Sequence, residues 1–356
     1  MQEPAKHSDQ PKQTLPLAET PLPSPTDLTP ELQAEVAAIE ARTDAYQANA
    51  RAANTRRAYR ADWAHFVAWC TKFDAQPLPA SPQLVARYLS AYAGELSVAT
   101  LRRRLSAIQF VHKAANVDFD SRHRELRDTW RGIRRTHGVA SQGKSPTVTE
   151  ELRLLIASID LTRPAGIRDR ALLLLGFAGC FRRSELVALD WHHVAEHRDG
   201  LIVSLAWSKT DQEGLGQEKG IPYGAHPETC PVRALKDWVL LADITEGPIF
   251  RPVNRHNRIL TSRLTDKGVA RIVKRAILAA RAAAMAAGNQ ALVNTFDPQR
   301  YAGHSLRAGF ITSAAAAGVA TYDIMRQSGH TREDTLRKYI RHATVFRQNA
   351  AAKVGL

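Results

Sequence analysis

The sequence predicts a mainly α protein of two domains, the second of which folds a small antiparallel sheet among its helices. Three observations carry this expectation. Apolar residues recur at three- and four-residue spacing through most of the chain. A single patch, residues 192–223, reads as strands. A chain of 356 residues is long enough for two cores, and no internal repeat is visible.

Residues 1–30 hold seven prolines and few apolar side chains, the composition of a disordered or polyproline-type tail. The tail is slightly acidic: Lys6 and Lys12 stand against Glu3, Asp9, Glu19 and Asp27. That suits a spacer or a partner-binding segment. A helical domain is expected over 31–140. Its first piece, Glu31 to Ala50, is a weakly amphipathic helix with Leu32, Val36 and Ile39 on one side. The next helix opens near Asn54 and Thr55, which are good capping residues, and carries Tyr59, Trp63, Phe66 and Val67 at helical spacing. Ser81 and Pro82 mark the start of a third, as cap and first-turn proline. A fourth, from Ser97, turns Leu101, Leu105 and Ile108 inward, and a fifth does the same with Leu126, Trp130 and Ile133.

Residues 141–150 have the composition of a linker, ending in a helix start near Thr147–Thr149. The second domain is expected over 151–345, with 346–356 as a tail. Helices come first (ELRLLIASI, IRDRALLLLGFAG, RSELVAL). Strands follow (HHVAEH, LIVSLAWS, KGIPY), with the polar turn TDQEGLGQ between the last two. Helical patterns then resume at PVRALKDWVLLA and run through REDTLRKYIRHAT.

Charge narrows the partner. The chain has 49 Lys and Arg against 35 Asp and Glu, and a pI near 10. Such a surplus favours a polyanion, since Lys and Arg displace the counterions condensed on phosphates. Between Arg51 and Lys144 the ratio is 17 to 7, so much of the excess lies in the first domain. Three clusters stand out there: Arg56, Arg57 and Arg60; Arg102, Arg103 and Arg104; Arg131, Arg134 and Arg135. They lack the neighbouring glutamates that balance a merely solvated helix face, which marks them as candidate DNA-backbone contacts. Cys70, Cys180 and Cys230 are far apart and odd in number, with no CxxC pair, which supports neither a disulfide framework nor a zinc ribbon. No bilayer-length apolar run and no secretory leader are visible, so a reducing, cytoplasmic setting is expected.

The last third of the chain concentrates chemistry. GHSLRAGF (Gly303–Phe310) is followed by SGHTREDTLRKYI (Ser328–Ile340), and upstream lie GCFRRSELVAL (Gly179–Leu189) and Lys209 in AWSKTDQEG. Two arginines, two histidines, a lysine and a tyrosine are what metal-free cleavage of a phosphodiester requires. Attack on the phosphate adds negative charge to its non-bridging oxygens. Arginine meets that charge with a planar, permanently ionised pair of donors. Tyrosine can attack and stay attached, storing the bond energy for resealing. The leaving 5′-oxygen needs a nearby acid.

In order and spacing these residues resemble the tyrosine recombinase (phage integrase) family over about residues 50–345. Arg182-Arg183-Ser184-Glu185-Leu186 is similar to its R-x-S-E-L, which places the first arginine at Arg182 rather than Arg183. His304 and Arg307 match H-x-x-R. His330 stands where the family has its second His or Trp, and Tyr339 follows nine residues later, at the family's distance. The resemblance implies that Tyr339 is the nucleophile. Arg182, Arg307 and His330 would stabilise the transition state, His304 would assist proton removal, and the hairpin lysine would protonate the 5′-oxygen. Lys209 is preferred for that last role over Lys219, which is also near the hairpin. Glu185 resembles the acidic residue that holds an arginine in place. One departure is the glycine: the family commonly has it two residues before the arginine, whereas Gly179 is three before, which would shift the helix start.

The resemblance further implies a SAM-like core-binding domain for 31–140 and the DNA breaking-rejoining fold for 151–345, closing as a clamp on double-stranded DNA. It implies a homotetramer on two DNA sites, no cofactor and no metal. It leaves open a partner recombinase or a DNA-bending protein. Ile340–Leu356 resembles the family's C-terminal helix that docks on a neighbouring protomer, with Val345 and Phe346 as its buried contacts. The absence of a separate arm-binding domain points to the Xer and Cre group, acting in integration, excision or dimer resolution. Two other readings share the motifs: a DNA-binding accessory or regulatory protein of the same family, and a type IB topoisomerase. A metallo-nuclease would need His and carboxylate residues at ligand spacing, which the sequence lacks.

Overall fold

The computed structural model describes residues 29–49, 52–139, 144–205 and 216–344. The chain divides into two compact units at Ser141/Gln142.

The described residues of the first unit form the helices α1 (Pro30–Asn49), α2 (Ala53–Lys72), α3 (Pro82–Ala91), α4 (Val98–Ala114) and α5 (Arg124–His137). The expected cap of α3 is present, and Ser97, where the next helix was expected to start, caps α4 in the same way. Ser81 Oγ accepts the Leu84 N–H and Ser97 Oγ accepts the Thr100 N–H, each at 3.2 Å. α2 instead starts a residue early, after Ala52, with no side-chain cap, and Asn54 Oδ1 is taken up by Arg57. Phe66, Cys70, Tyr88, Leu101, Ile108, Leu126 and Ile133 close the core, with Trp63 and Trp130 packed on its edge. Each large apolar side chain so buried contributes about 1.5–3 kcal/mol. His112 is fully buried in this core. Its Nε2 accepts the Ala80 N–H at 2.9 Å and its Nδ1 lies 2.8 Å from Ile108 O, so both ring nitrogens are paired with backbone. Leu32 and Ile39 of α1 are exposed.

The second unit begins with an extended segment, 144–148. Part of the stretch expected as linker is therefore bonded to this unit. Ser145 and Thr147 donate their N–H groups to Arg300 O and Ser305 O, at 2.7 and 3.0 Å. Its helices are α6 (Thr149–Ala157), α7 (Pro164–Ala178), α8 (Arg183–Ala188), α9 (Pro231–Leu241), α10 (Asp266–Ala286), α11 (Gln290–Thr295), α12 (Ser305–Ala316), α13 (Thr321–Ser328) and α14 (Asp334–Thr344). Strands β1 (Val194–His197), β2 (Gly200–Leu205) and β3 (Gln217–Pro222) form one antiparallel sheet in that order. β3 pairs with β2 so that Lys219 lies opposite Val203 and Ile221 opposite Leu201. α7 is buried on most sides and packs on α9, α12 and α10. Leu172, Leu173, Leu175, Trp238, Phe250, Ile272 and Val273 fill the centre. The architecture is thus the expected one, mainly α with a small antiparallel sheet, though Trp191–His193 form a single 3-10 turn where the first strand was expected to begin. Among the described residues no helix is long and apolar enough to cross a membrane.

α12 carries two of the motif residues, and its placement is tightly constrained. A Cβ on Gly309 would lie 1.7 Å from Thr147 O, so only glycine lets the 144–148 segment cross α12 at this distance.

Candidate active site

Three pieces of backbone converge in the second unit. The first is the turn Gly179–Arg182 between α7 and α8. Cys180 sits there at φ +49°, in the left-handed region. Gly179, by contrast, has helical angles. α8 begins at Arg183, and the left-handed position, two residues before Arg182, is occupied by cysteine. Arg182 is the N-cap of α8, and Glu185 holds it twice: the carboxylate accepts the Arg182 N–H at 2.8 Å and forms an ion pair with the guanidinium. Glu185 is 4% exposed and Arg182 17%. The expected supporting role of Glu185 thus has a geometric basis, in the manner of a helix-capping carboxylate.

The second piece is the N-terminus of α12. His304 caps it and is exposed. Arg307, one turn in, is 1% exposed. Its Nη1 donates to Cys180 O at 2.7 Å, so the turn that presents Arg182 also anchors Arg307. Nη2 faces the His330 ring at 3.4 Å.

The third piece is the C-terminal pair of helices. Gly329, left-handed at φ +66°, ends α13 and turns the chain so that His330 points back at Arg307. Ser328 Oγ bonds His330 Nδ1 at 2.7 Å. Burial first, then the positive charges of Arg307, Arg182, His304 and Lys219, push the His330 pKa down to about 4, so the ring is neutral at neutral pH. Tyr339 lies on α14. It packs with Ile340 against a small cluster of Cys180, Ile311, Ala315, Ile324 and Leu336. Its hydroxyl is 3.2 Å from His304 Nε2. Arg182, His304, Arg307, His330 and Tyr339, 157 residues apart at the extremes of the sequence, are thus one site, in contact through the turn and through each other.

Lys209, Val345 and Phe346 lie outside the described residues. Lys219, the other hairpin lysine, is described and is only 2% exposed. Its ammonium is directed down into the site's floor, where it donates to Gly179 O at 2.8 Å. Lys219 and Ile221 share the inward face of β3, a placement that strand alternation explains once the strand is located.

In the first unit, Arg56, Arg57, Arg60, Arg102, Arg103, Arg131, Arg134 and Arg135 are exposed on α2, α4 and α5. Several have protein partners. Arg103 makes two hydrogen bonds to Asp62, at 2.7 and 3.0 Å, and Arg131 approaches Asp128 at 3.4 Å. Arg104 is turned inward, 11% exposed, over the rings of Tyr88 and Tyr92. The balancing acid for Arg103 and Arg104 sits on α2, across the helix pair, where a search along one helix does not see it.

Residues 147–345 match the model of the phage integrase family, and residues 44–116 match that of the phage integrase N-terminal SAM-like domain. An integrase/recombinase described as a xerD homologue, from Selenomonas ruminantium, is 40% identical over 305 residues, covering 84% of this chain and 85% of its own. The chain belongs to the phage integrase family.

A tyrosine recombinase of Synechococcus elongatus is 28% identical, over 81% of this chain and 85% of its own. Among solved structures, the XerH site-specific recombinase in a post-cleavage complex superposes with a TM-score of 0.56 at 18% identity, covering 77% of this chain and 72% of that one. A lambda integrase dimer bound to a core site superposes with a TM-score of 0.52 at 14% identity, covering 88% and 81%. These two likenesses bear on the fold: the mostly helical second unit with its three-stranded sheet is the integrase catalytic architecture, and the first unit carries the SAM-like domain.

Proposed function

We propose that this chain is a site-specific recombinase that cuts and rejoins double-stranded DNA through a 3′-phosphotyrosyl intermediate formed on Tyr339. The observation that carries the reading is the 3.2 Å contact between the Tyr339 hydroxyl and His304 Nε2, beside the fixed guanidiniums of Arg182 and Arg307. The solved XerH and lambda integrase chains are bound to DNA substrates, which supports carrying a duplex substrate over to this family member.

The steps follow from the donors present. The phosphodiester enters between Arg182 and Arg307, whose charge is complementary to its non-bridging oxygens. His304 takes the phenolic proton as the Tyr339 oxygen bonds to phosphorus. Neutral His330, with Nδ1 occupied by the Ser328 hydroxyl, presents Nε2–H to the same oxygens. The bond from phosphorus to the 5′-oxygen breaks, and Lys209 returns a proton to that oxygen. The reverse sequence, with a 5′-hydroxyl from another strand, reseals the DNA. Neither ATP nor a metal is needed, because the ester stores the bond energy and three cationic side chains neutralise the developing charge. Exchange between two DNA sites in a tetramer, in integration, excision or dimer resolution, is the biological setting this chemistry suits.

The test is incubation of wild type and Tyr339→Phe protein, in EDTA, with nicked duplexes drawn from the DNA flanking the gene. A covalent protein–DNA band for wild type alone is expected. A band of equal yield from Tyr339→Phe, or one that requires a divalent cation, would overturn the reading.

A further inference from the structure

A third buried cation in the site has no part in the steps above. Lys219 is rooted on β3, and its Nζ is 2.8 Å from Gly179 O and 4.9 Å from the centre of the Phe181 ring. Gly179 O belongs to the peptide immediately before Cys180. The next carbonyl, Cys180 O, is the one that anchors Arg307, and the residue after Phe181 is Arg182. One ammonium therefore holds the peptide next to the one that anchors Arg307, in the turn that leads into Arg182. That peptide leads into a left-handed cysteine, a conformation that needs external support.

β3 is itself tied to the tyrosine-bearing end of the chain. Gln327 Nε2 donates to Ala178 O at 2.8 Å and to Gly220 O at 3.2 Å, and Gln217 Nε2 donates to Arg326 O at 2.9 Å. Turn, strand and α13 are thus hydrogen-bonded to one another, and Lys219 links the strand to the turn.

We propose that Lys219 is a positioning residue for strand cleavage: from β3 its ammonium fixes the Gly179–Arg182 turn and thereby aims Arg182 and Arg307 at the scissile phosphate.

Charge supports the geometry. The groups facing Lys219 are Glu185 on α8, Cys180 and Arg182 on the turn, and Arg307 on α12, with His330 nearby. Glu185 is the only carboxylate among them, against two arginines. Burying a third cation there is unfavourable without an anion, and the phosphodiester is the anion that would complete the set. In the DNA-free protein, burial first and then Arg307 and Arg182 bring the Lys219 pKa down to about 8, while Glu185 and Cys180 oppose this. A bound phosphate would favour the charged form. The ammonium should therefore be lost in mildly alkaline solution before DNA binds, but kept once DNA is bound.

This inference rests on the recombinase reading, and its test separates the two. Single-turnover formation of the covalent complex on nicked duplexes from the gene's flanks is measured for wild type, Lys219→Met, Lys219→Arg and Tyr339→Phe across pH about 6.5 to 10. The expected result for Lys219→Met is a rate at saturating DNA lowered by about 100-fold, comparable to the loss of one oriented donor, in addition to the weaker DNA binding that follows from losing a charge the phosphate favours. At subsaturating DNA the wild-type rate should fall above pH about 8. That limb should move upward in Lys219→Arg, which retains the charge even if the methionine variant folds poorly. A Lys219→Met protein that cleaves at the wild-type rate overturns the inference and leaves the recombinase reading standing. An alkaline limb unmoved in Lys219→Arg, or a loss accounted for by DNA affinity alone, does the same. A wild-type chain that gives no more covalent product than Tyr339→Phe overturns both.

Discussion

Glu185→Ala is the substitution that most sharply separates a site held by electrostatics from one held by packing alone. Glu185 is nearly fully buried, pairs with the Arg182 guanidinium and accepts the Arg182 N–H at 2.8 Å. Removing it leaves the 17%-exposed Arg182 facing Arg307 and Lys219 with no counter-charge. Breaking a buried pair from one side costs about 3–5 kcal/mol, and within that loss the N-terminal cap of α8 accounts for about 1 kcal/mol. At about 2–4 °C per kcal/mol for a domain of this size, the melting temperature should drop by about 6–20 °C. Cleavage should fall by at least about 100-fold at temperatures where the variant is folded, because Arg182 loses its orientation. Glu185→Gln keeps the shape and the backbone acceptor, so it should recover part of the stability and less of the rate. The assays are thermal melts by circular dichroism and single-turnover cleavage on a nicked duplex. An Ala variant that melts within about 2 °C of wild type and cleaves normally would refute the argument.

Two further predictions concern the turn and His330. Cys180→Gly should lie within about 1 kcal/mol of wild type, since relief of the left-handed strain offsets the lost burial of the thiol, whereas Cys180→Val should lose more than about 2 kcal/mol; equal denaturation midpoints for the two variants would contradict this. His330 has a folded pKa of about 4, below the ordinary 6.5, so between those values the unfolded chain binds the extra proton. Its contribution to stability is complete above pH about 6.5 and is lost as pH falls toward 4; His330→Gln should flatten that slope by up to one proton, and superimposable pH–stability curves would count against it.

Much of this was legible in the sequence, for identifiable reasons. Ser81 and Ser97 announced their helices because a cap is a local interaction. The motif residues could be assigned because the chemistry demands particular side chains in a particular order. What sequence alone did not show is mostly long-range. Asp62 reaches Arg103 and Arg104 from another helix, so basic runs that looked unbalanced along α4 are partly paired. The 144–148 segment has linker composition, yet its backbone groups bond to 300 and 305, far away in the chain. The short α11, between α10 and the His304 motif, was not separated from its surroundings, since six residues give too little periodicity. Glycine at 179 drew attention to the turn, but only the backbone angles show that the left-handed residue there is Cys180. Lys219 looked like a second hairpin lysine, and only its burial and its bond to Gly179 O distinguish a support for the site from a group that meets the substrate.

The central claim is that Tyr339 becomes covalently joined to DNA, and the most direct measurement is the chemistry of that link. The covalent complex, formed in EDTA, would be digested with protease and nuclease and the modified peptide sequenced by mass spectrometry. The account predicts one peptide, spanning residue 339, carrying a 3′-linked nucleotide on the tyrosine oxygen, with a free 5′-hydroxyl on the cleaved strand. A nucleotide on any other residue, or a 5′-phosphoryl linkage, would contradict it.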